Sequence, residues 1–175
     1  DACEIARIGV FAHELAHDLG LPDLYDGHEG GVGVGNYDCM ANSWGWDASQ
    51  LYPPNVSPWT KERLWWAERL VLNRSGTYAV PSSSRTDRVH CVEVGFFPGE
   101  SLCLENRYPE GYDAQIPDGG GIAIWHLDER AWHHEQGHPD LTGWPQDGRH
   151  YRVALLAADG NYDLERGSNF GDRYD

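Results

Sequence analysis

The chain has 175 residues, enough for one domain with a sizeable core or a domain split by a cleft. Its formal net charge of -15 disfavours nucleic acid and anionic membrane surfaces as partners. No apolar run approaches the roughly 20 residues that a transmembrane helix needs, and no signal-peptide pattern is visible.

The first predicted element is a helix that begins at the N-terminus, where Asp1 and Glu4 form a capping box. Ile5, Ile8, Ala12, Leu15 and Leu19 recur at three- and four-residue steps and predict an apolar face for the core, widened by Phe11 and Ala16. On the same helix the sequence reads His13-Glu14-Leu15-Ala16-His17-Asp18-Leu19-Gly20-Leu21-Pro22-Asp23. Residues four apart lie on one helix face, so the imidazoles of His13 and His17 can converge on one ion. Glu14 is rotated by about 100° from His13. Its carboxylate therefore lies beside the metal, where it can take a proton from bound water. Gly20 ends the helix by turning left-handed, Pro22 stiffens the return, and Asp23 arrives where a third ligand is needed. Two neutral nitrogens and one carboxylate leave the fourth tetrahedral position open, as in a catalytic rather than a structural zinc site. The alternative is a pair of helix histidines satisfied within the fold. The motif predicts a zinc-dependent hydrolase, specifically a peptidase.

Residues 24–39 form a loop dense in glycine, which permits tight reversals. A phosphate-loop reading fails because no Lys-Ser/Thr follows Gly35. The loop delivers Met40, the single methionine, whose thioether either floors the metal site or fills the core. Ser57 and Pro58 predict a second helix over 58–71, with Trp59, Leu64, Trp65, Leu70 and Val71 as its apolar stripe. From Thr77 the pattern changes to strands over 77–80, 88–95, 101–107, 121–126 and 151–157. The fold class is thus α+β. Residues 1–72 carry the site helix, glycine-rich loop, methionine turn and second helix, and a β-rich portion, 73–175, packs on them without a clear linker.

No two of Cys3, Cys39, Cys91 and Cys103 form a C-x-x-C pair, which argues against a cysteine zinc site. Cys91 and Cys103 flank the Phe97-Pro98-Gly99 turn and face each other across a predicted hairpin. Cys3 with Cys39 would then staple the helix to the segment before Met40. Disulfides imply an extracellular compartment; the alternative is four buried thiols. Secondary sites are weaker. His126, beside Asp128 and Glu129, is either a cation ligand or a hydrogen-bonded histidine. His133, His134 and His138 sit with Glu135 in a solvated loop. Asp159, Asn161 and Asp163 alternate like part of a calcium loop, with Asp172 and Asp175 as further carboxylates, but no twelve-residue register is completed.

The extended histidine motif, the following Leu24-Tyr25-Asp26 and a methionine in a small-residue turn resemble the metzincin clan of zinc peptidases. More closely they resemble the immune-inhibitor-A-like secreted metallopeptidases, whose helix motif continues as L-P-D-L-Y-D. Pro58-Trp59-Thr60-Lys61, Leu104-Glu105-Asn106-Arg107, Gly121 to Glu129 and Ala158-Asp159-Gly160 are also similar to that family. The resemblance implies a metzincin-like site helix and methionine turn, zinc ligands at His13, His17 and Asp23, Glu14 as general base, and protein or peptide substrates. It also implies that the sheet half of the catalytic domain lies upstream, so the chain reads as the C-terminal part of a longer product. Asp38 and Cys39 depart from the family pattern, which has an apolar residue next to the methionine. Tyr25 and Tyr37 are unranked candidates for stabilising the oxyanion. Two other functions stay open: a zinc-binding but inactive fragment, and an extracellular glycan-binding module, suggested by the eight tryptophans.

Overall fold

The computed structural model describes residues 5–27, 31–131 and 150–172. It is a mixed α+β structure with two α-helices and a five-stranded sheet, whose core gathers buried loop and helix side chains with those of the strands. The strands are β1 (Glu68–Val71), β2 (Arg88–Val92), β3 (Glu100–Arg107), β4 (Gly121–Asp128) and β5 (Val153–Leu155), in the order β1-β2-β3-β4-β5. The β1–β2 pair is parallel and the other three are antiparallel.

Strict alternation sets the inner face. In β3, Ser101, Cys103, Glu105 and Arg107 point inward and are buried. The register places Cys91 opposite Cys103, Cys103 opposite Trp125, and Trp125 opposite Leu155, so one row of buried side chains crosses the sheet. The expected Cys91–Cys103 disulfide joins two of them. Onto this row pack Leu24, Val34, Tyr37, Met40, Trp59 and Leu164, and the Tyr37 ring meets Trp125 edge-on.

Two inward charges break the apolar pattern. Glu105 and Arg107 form a buried network in which Arg107 donates to Glu105 (2.8 Å) and Asp113 (3.0 Å), and Lys61 donates to Glu105 (2.9 Å). Arg107 also donates to the carbonyls of Asn55 and Tyr37, which ties the sheet to the loops that carry the site.

Several sequence expectations are corrected. Helix α1 spans Ile8–Asp18, with Arg7 as an N-cap that makes no side-chain bond; the capping-box pair Asp1 and Glu4 lies outside the described residues. Its predicted core face is largely uncovered: Phe11, Leu15 and Leu19 are 58%, 63% and 59% exposed. The helix docks instead through its histidine face and through Gly9, whose N–H donates to the Gln50 carbonyl at 3.0 Å.

Helix α2 spans only Pro58–Arg63, capped by Ser57 as expected. It stops because Trp65 turns left-handed (φ 60°), after which Glu68–Val71 pairs with β2 as a strand. Strand pairing and the burial of Leu72 win over local helix propensity there. The predicted strand 77–80 is irregular; its Val80 carbonyl accepts from Asn106 Nδ2 (3.0 Å), and just beyond it Ser82 forms an isolated bridge with Asn106. Cys39 is an unpaired buried thiol, so it is not stapled to Cys3, which lies outside the described residues.

Candidate metal centre

Helix α1 ends in a Schellman turn. Gly20 N donates to the His17 carbonyl (2.9 Å) and Leu21 N to the Ala16 carbonyl (3.2 Å). Gly20 occupies the left-handed position (φ 87°), as its place in the motif predicts. The chain then doubles back, and Leu24 N donates to the Met40 carbonyl at 2.9 Å. Gly33 packs so close behind this strap that a Cβ there would lie 1.8 Å from the Leu24 carbonyl oxygen. Asp23 is thus delivered by a short strap held at Leu21 and Leu24.

The three predicted ligands come together. His13 Nε2 and His17 Nε2 are 3.2 Å apart, and Asp23 Oδ1 lies 3.1 Å from the first and 3.3 Å from the second. An ion bound tetrahedrally at about 2.0–2.1 Å has its ligand atoms about 3.3–3.4 Å apart, so the triangle has the size of one face of such a site. The opposite ring nitrogens decide the tautomers. His13 Nδ1 is 2.9 Å from the Cys39 carbonyl and His17 Nδ1 is 2.8 Å from the Leu21 carbonyl. A carbonyl only accepts, so each Nδ1 carries the proton and each Nε2 turns a lone pair inward. Asp23 Oδ1 is buried without a hydrogen-bond donor. Three electron pairs therefore face one point, an arrangement that repels itself until a cation occupies it. These residues fit a divalent metal. Among the described residues they form the one His/Cys/Asp/Glu group with such convergence. Side-chain exposures of 13%, 33% and 36% for His13, His17 and Asp23 leave the open side to solvent.

Glu14 stands exposed next to this triangle on α1. Its charge reaches Tyr25, whose phenol is pushed up by a hydrogen bond to Asp23 first, then by burial and by the charges of Asp23 and Glu14. Tyr25 is thus at the site, whereas Tyr37 is buried and donates to the Asp172 carbonyl, away from it. Met40 is fully buried among Leu24, Val34 and Trp59. Its backbone contributes directly to the site, through the carbonyl that receives Leu24 N and the neighbouring carbonyl of Cys39.

Sequence reasoning missed Asp38. It is fully buried, and burial raises its carboxyl against the opposing bonds from Met40 and Ser57. The one available signal was that a charge stood where an apolar residue is expected. The carbonyls of Cys39 and Leu21 left no signal at all, because every residue has one. The secondary candidates are otherwise engaged. His126 pairs with Glu100 (3.0 Å), while Asp128 takes His150 (3.0 Å) and Arg130 (3.1 Å). Glu129 takes the Trp59 indole N–H and Arg63. Asp159 caps its own loop by accepting from Asn161 N (2.8 Å) and Nδ2 (2.7 Å). His133, His134, Glu135, His138 and Asp175 lie outside the described residues.

Comparison with known proteins points the same way. Residues 2–70 match the family model described as immune inhibitor A peptidase M6, catalytic domain. A pre-pro-metalloprotease, PrtV, of Vibrio cholerae serotype O1 (strain M66-2) is 42% identical over 62 residues, which is 34% of this chain and 7% of that protein. PrtV of strain ATCC 39315 / El Tor Inaba N16961 matches equally. No solved structure matches. The stretch that builds the site is thus similar in sequence to part of that peptidase family and of those metalloproteases, and the chain spans only a small share of the relatives' length.

Proposed function

We propose that the chain is the metal-binding part of a secreted zinc endopeptidase, with α1 and the Met40 turn playing the parts that they play in metzincins. The observation that carries this reading is the convergence of His13 Nε2, His17 Nε2 and Asp23 Oδ1 within 3.3 Å of one another, with both Nδ1 atoms engaged elsewhere. His13, His17 and Asp23 hold the ion, and residues 1–72 and 73–175 act as parts of one catalytic domain. Bound there, zinc supplies Lewis-acid polarisation of the peptide carbonyl and brings the pKa of a water near 7. Glu14 accepts the proton of the attacking water and returns it to the leaving amine. Tyr25, whose phenol bonds to Asp23, is the residue that this reading gives the role of donor to the oxygen that gains charge. The Cys91–Cys103 disulfide supports an extracellular setting, and so does the pre-pro form in the name of the relative.

Metal content and casein turnover by the 175-residue chain test this together. One zinc per chain, with turnover abolished by a chelator and restored by zinc, is expected. No stoichiometric metal at neutral pH overturns the reading. A second outcome, zinc bound without turnover, is favoured by the bare apolar flank of α1 at Phe11, Leu15 and Leu19. It would mean that this stretch holds the metal while other parts of a longer protein hold the substrate.

A further inference from the structure

The two site histidines are held in the same tautomer by different parts of the chain. His17 gives its Nδ1 proton to Leu21, in the strap that follows its own helix. His13 gives its proton to Cys39, which lies 26 positions further on. Whatever orients the Cys39 carbonyl therefore governs His13 and has no direct hold on His17.

That carbonyl belongs to the same planar amide as the Met40 N–H, and in a trans peptide the two point in opposite directions. The Met40 N–H donates to Asp38 Oδ1 at 2.8 Å. Asp38 Oδ2 is in turn anchored on the N-terminus of α2, accepting from Ser57 N (2.7 Å) and Thr60 Oγ1 (2.8 Å). The carbonyl of Asp38 accepts from Ala41 N (2.9 Å) and Asn42 N (3.0 Å), which closes the turn around the plane. One rigid amide is thus gripped at one end by a buried carboxylate, while its other end takes the His13 proton. The Met40 carbonyl, in the next amide, receives Leu24 N beside Asp23, so the same anchor reaches a second ligand less directly.

We infer that Asp38 is a positioning residue for the metal centre: by holding the Cys39–Met40 amide plane, it keeps the proton of His13 on Nδ1 and its Nε2 free for the ion. The consequence for metal affinity rests on the zinc reading above; the consequence for the tautomer does not.

Asp38→Asn separates the two. Two donors converge on Oδ2 and one on Oδ1, so the amide oxygen of Asn takes the Ser57 and Thr60 side and its NH2 faces the Met40 N–H. The grip on the amide plane is then lost while the helix anchor survives. Two-bond 1H–15N spectra of the imidazoles in the metal-free full chain read each tautomer. The expected result is that both histidines are Nδ1–H in the parent chain, whereas in D38N His13 becomes a mixture and His17 is unchanged. Zinc affinity, measured by competition with a chromophoric chelator, falls about 10–100-fold, the usual effect of losing an outer partner of a ligand. A folded D38N chain whose His13 stays wholly Nδ1–H overturns the inference. An equal change in both histidines, which marks general loosening, overturns it too. If D38N does not fold, Thr60→Val, which removes one of the two bonds on Oδ2, must shift His13 the same way by less; an unmoved His13 there also overturns it. A parent chain without stoichiometric zinc sinks the zinc reading alone and leaves the imidazole spectra to judge Asp38.

Discussion

His17 donates its Nδ1 proton to the carbonyl of Leu21, four residues downstream, at 2.8 Å. The bond spans the helix end, so the turn that stops α1 also orients one ring of the His13–His17–Asp23 triangle and aims the strap carrying Asp23. Gly20 sits inside that turn with φ 87° and nothing within 4 Å of where a Cβ would stand. Substitution there is penalised by conformation and not by collision. Gly20→Ala is expected to lose about 1 kcal/mol in urea unfolding and to weaken zinc binding, with Gly20→Asn losing less of both. Equal affinities for the three chains would disconnect the turn from the site.

Glu14 makes no part of the ligand triangle, so its role and metal binding are separable. Glu14→Gln is expected to keep one zinc per chain and to lose turnover. Asp23→Ala is expected to lose zinc first. Surviving turnover in the Gln variant removes Glu14 from proton transfer.

Arg107 is 1% exposed at the centre of a buried network, with Glu105 on one side and Asp113 on the other. Removing it leaves Asp113 buried without its cation and Glu105 with Lys61 alone. Arg107→Ala is expected to cost about 3–5 kcal/mol in urea unfolding, the range for breaking one partner out of a buried ion pair. Replacing all three residues by apolar ones of similar volume should cost much less, and the comparison of the two variants checks the assignment.

Cys39 has its thiol pushed up to about 12, first by burial and then by the charge of Asp38. At pH 8 the thiolate that reacts with iodoacetamide is therefore nearly absent in the native chain. Peptide mapping should find Cys39 unlabelled in the folded protein and labelled after denaturation. The folded state holds this proton more tightly than the unfolded one, so the thiol's contribution to stability is lost as pH rises through about 9 to 12.

Asp128 behaves in the opposite sense. Burial would raise it, but hydrogen bonds from the Arg130 side chain and backbone and from His150, with the charge of Arg130, hold it down at about 2. Its contribution is present above the ordinary value of 3.8 and is lost as pH falls toward 2. Acid unfolding followed by circular dichroism should show that Asp128→Asn flattens the pH dependence between those limits. An identical acid limb in both chains would remove the pair from the account.

The alternation in β3, the Ser57-Pro58 start of α2 and the Cys91–Cys103 pairing were all legible because each depends on neighbours in sequence or on a single turn. The end of α2 was not. No glycine or proline marks it, and Trp65 turns left-handed because Glu68–Val71 is drawn into the sheet by a strand that lies 20 positions away in register, at Arg88. The apolar face of α1 was legible as a pattern, but what covers a pattern is decided by the rest of the fold.

By itself, the sequence determined the spacing of His13, His17 and Asp23, because a helix repeats every 3.6 residues and a glycine ends it. It also determined where Glu14 stands relative to them. Only the tertiary structure decided which nitrogen of each ring faces inward. That choice is made by the carbonyls of Cys39 and Leu21, and a backbone carbonyl has no letter in the sequence. It becomes specific only when the chain folds it against a ring, and here a buried carboxylate, Asp38, grips the amide that carries one of the two.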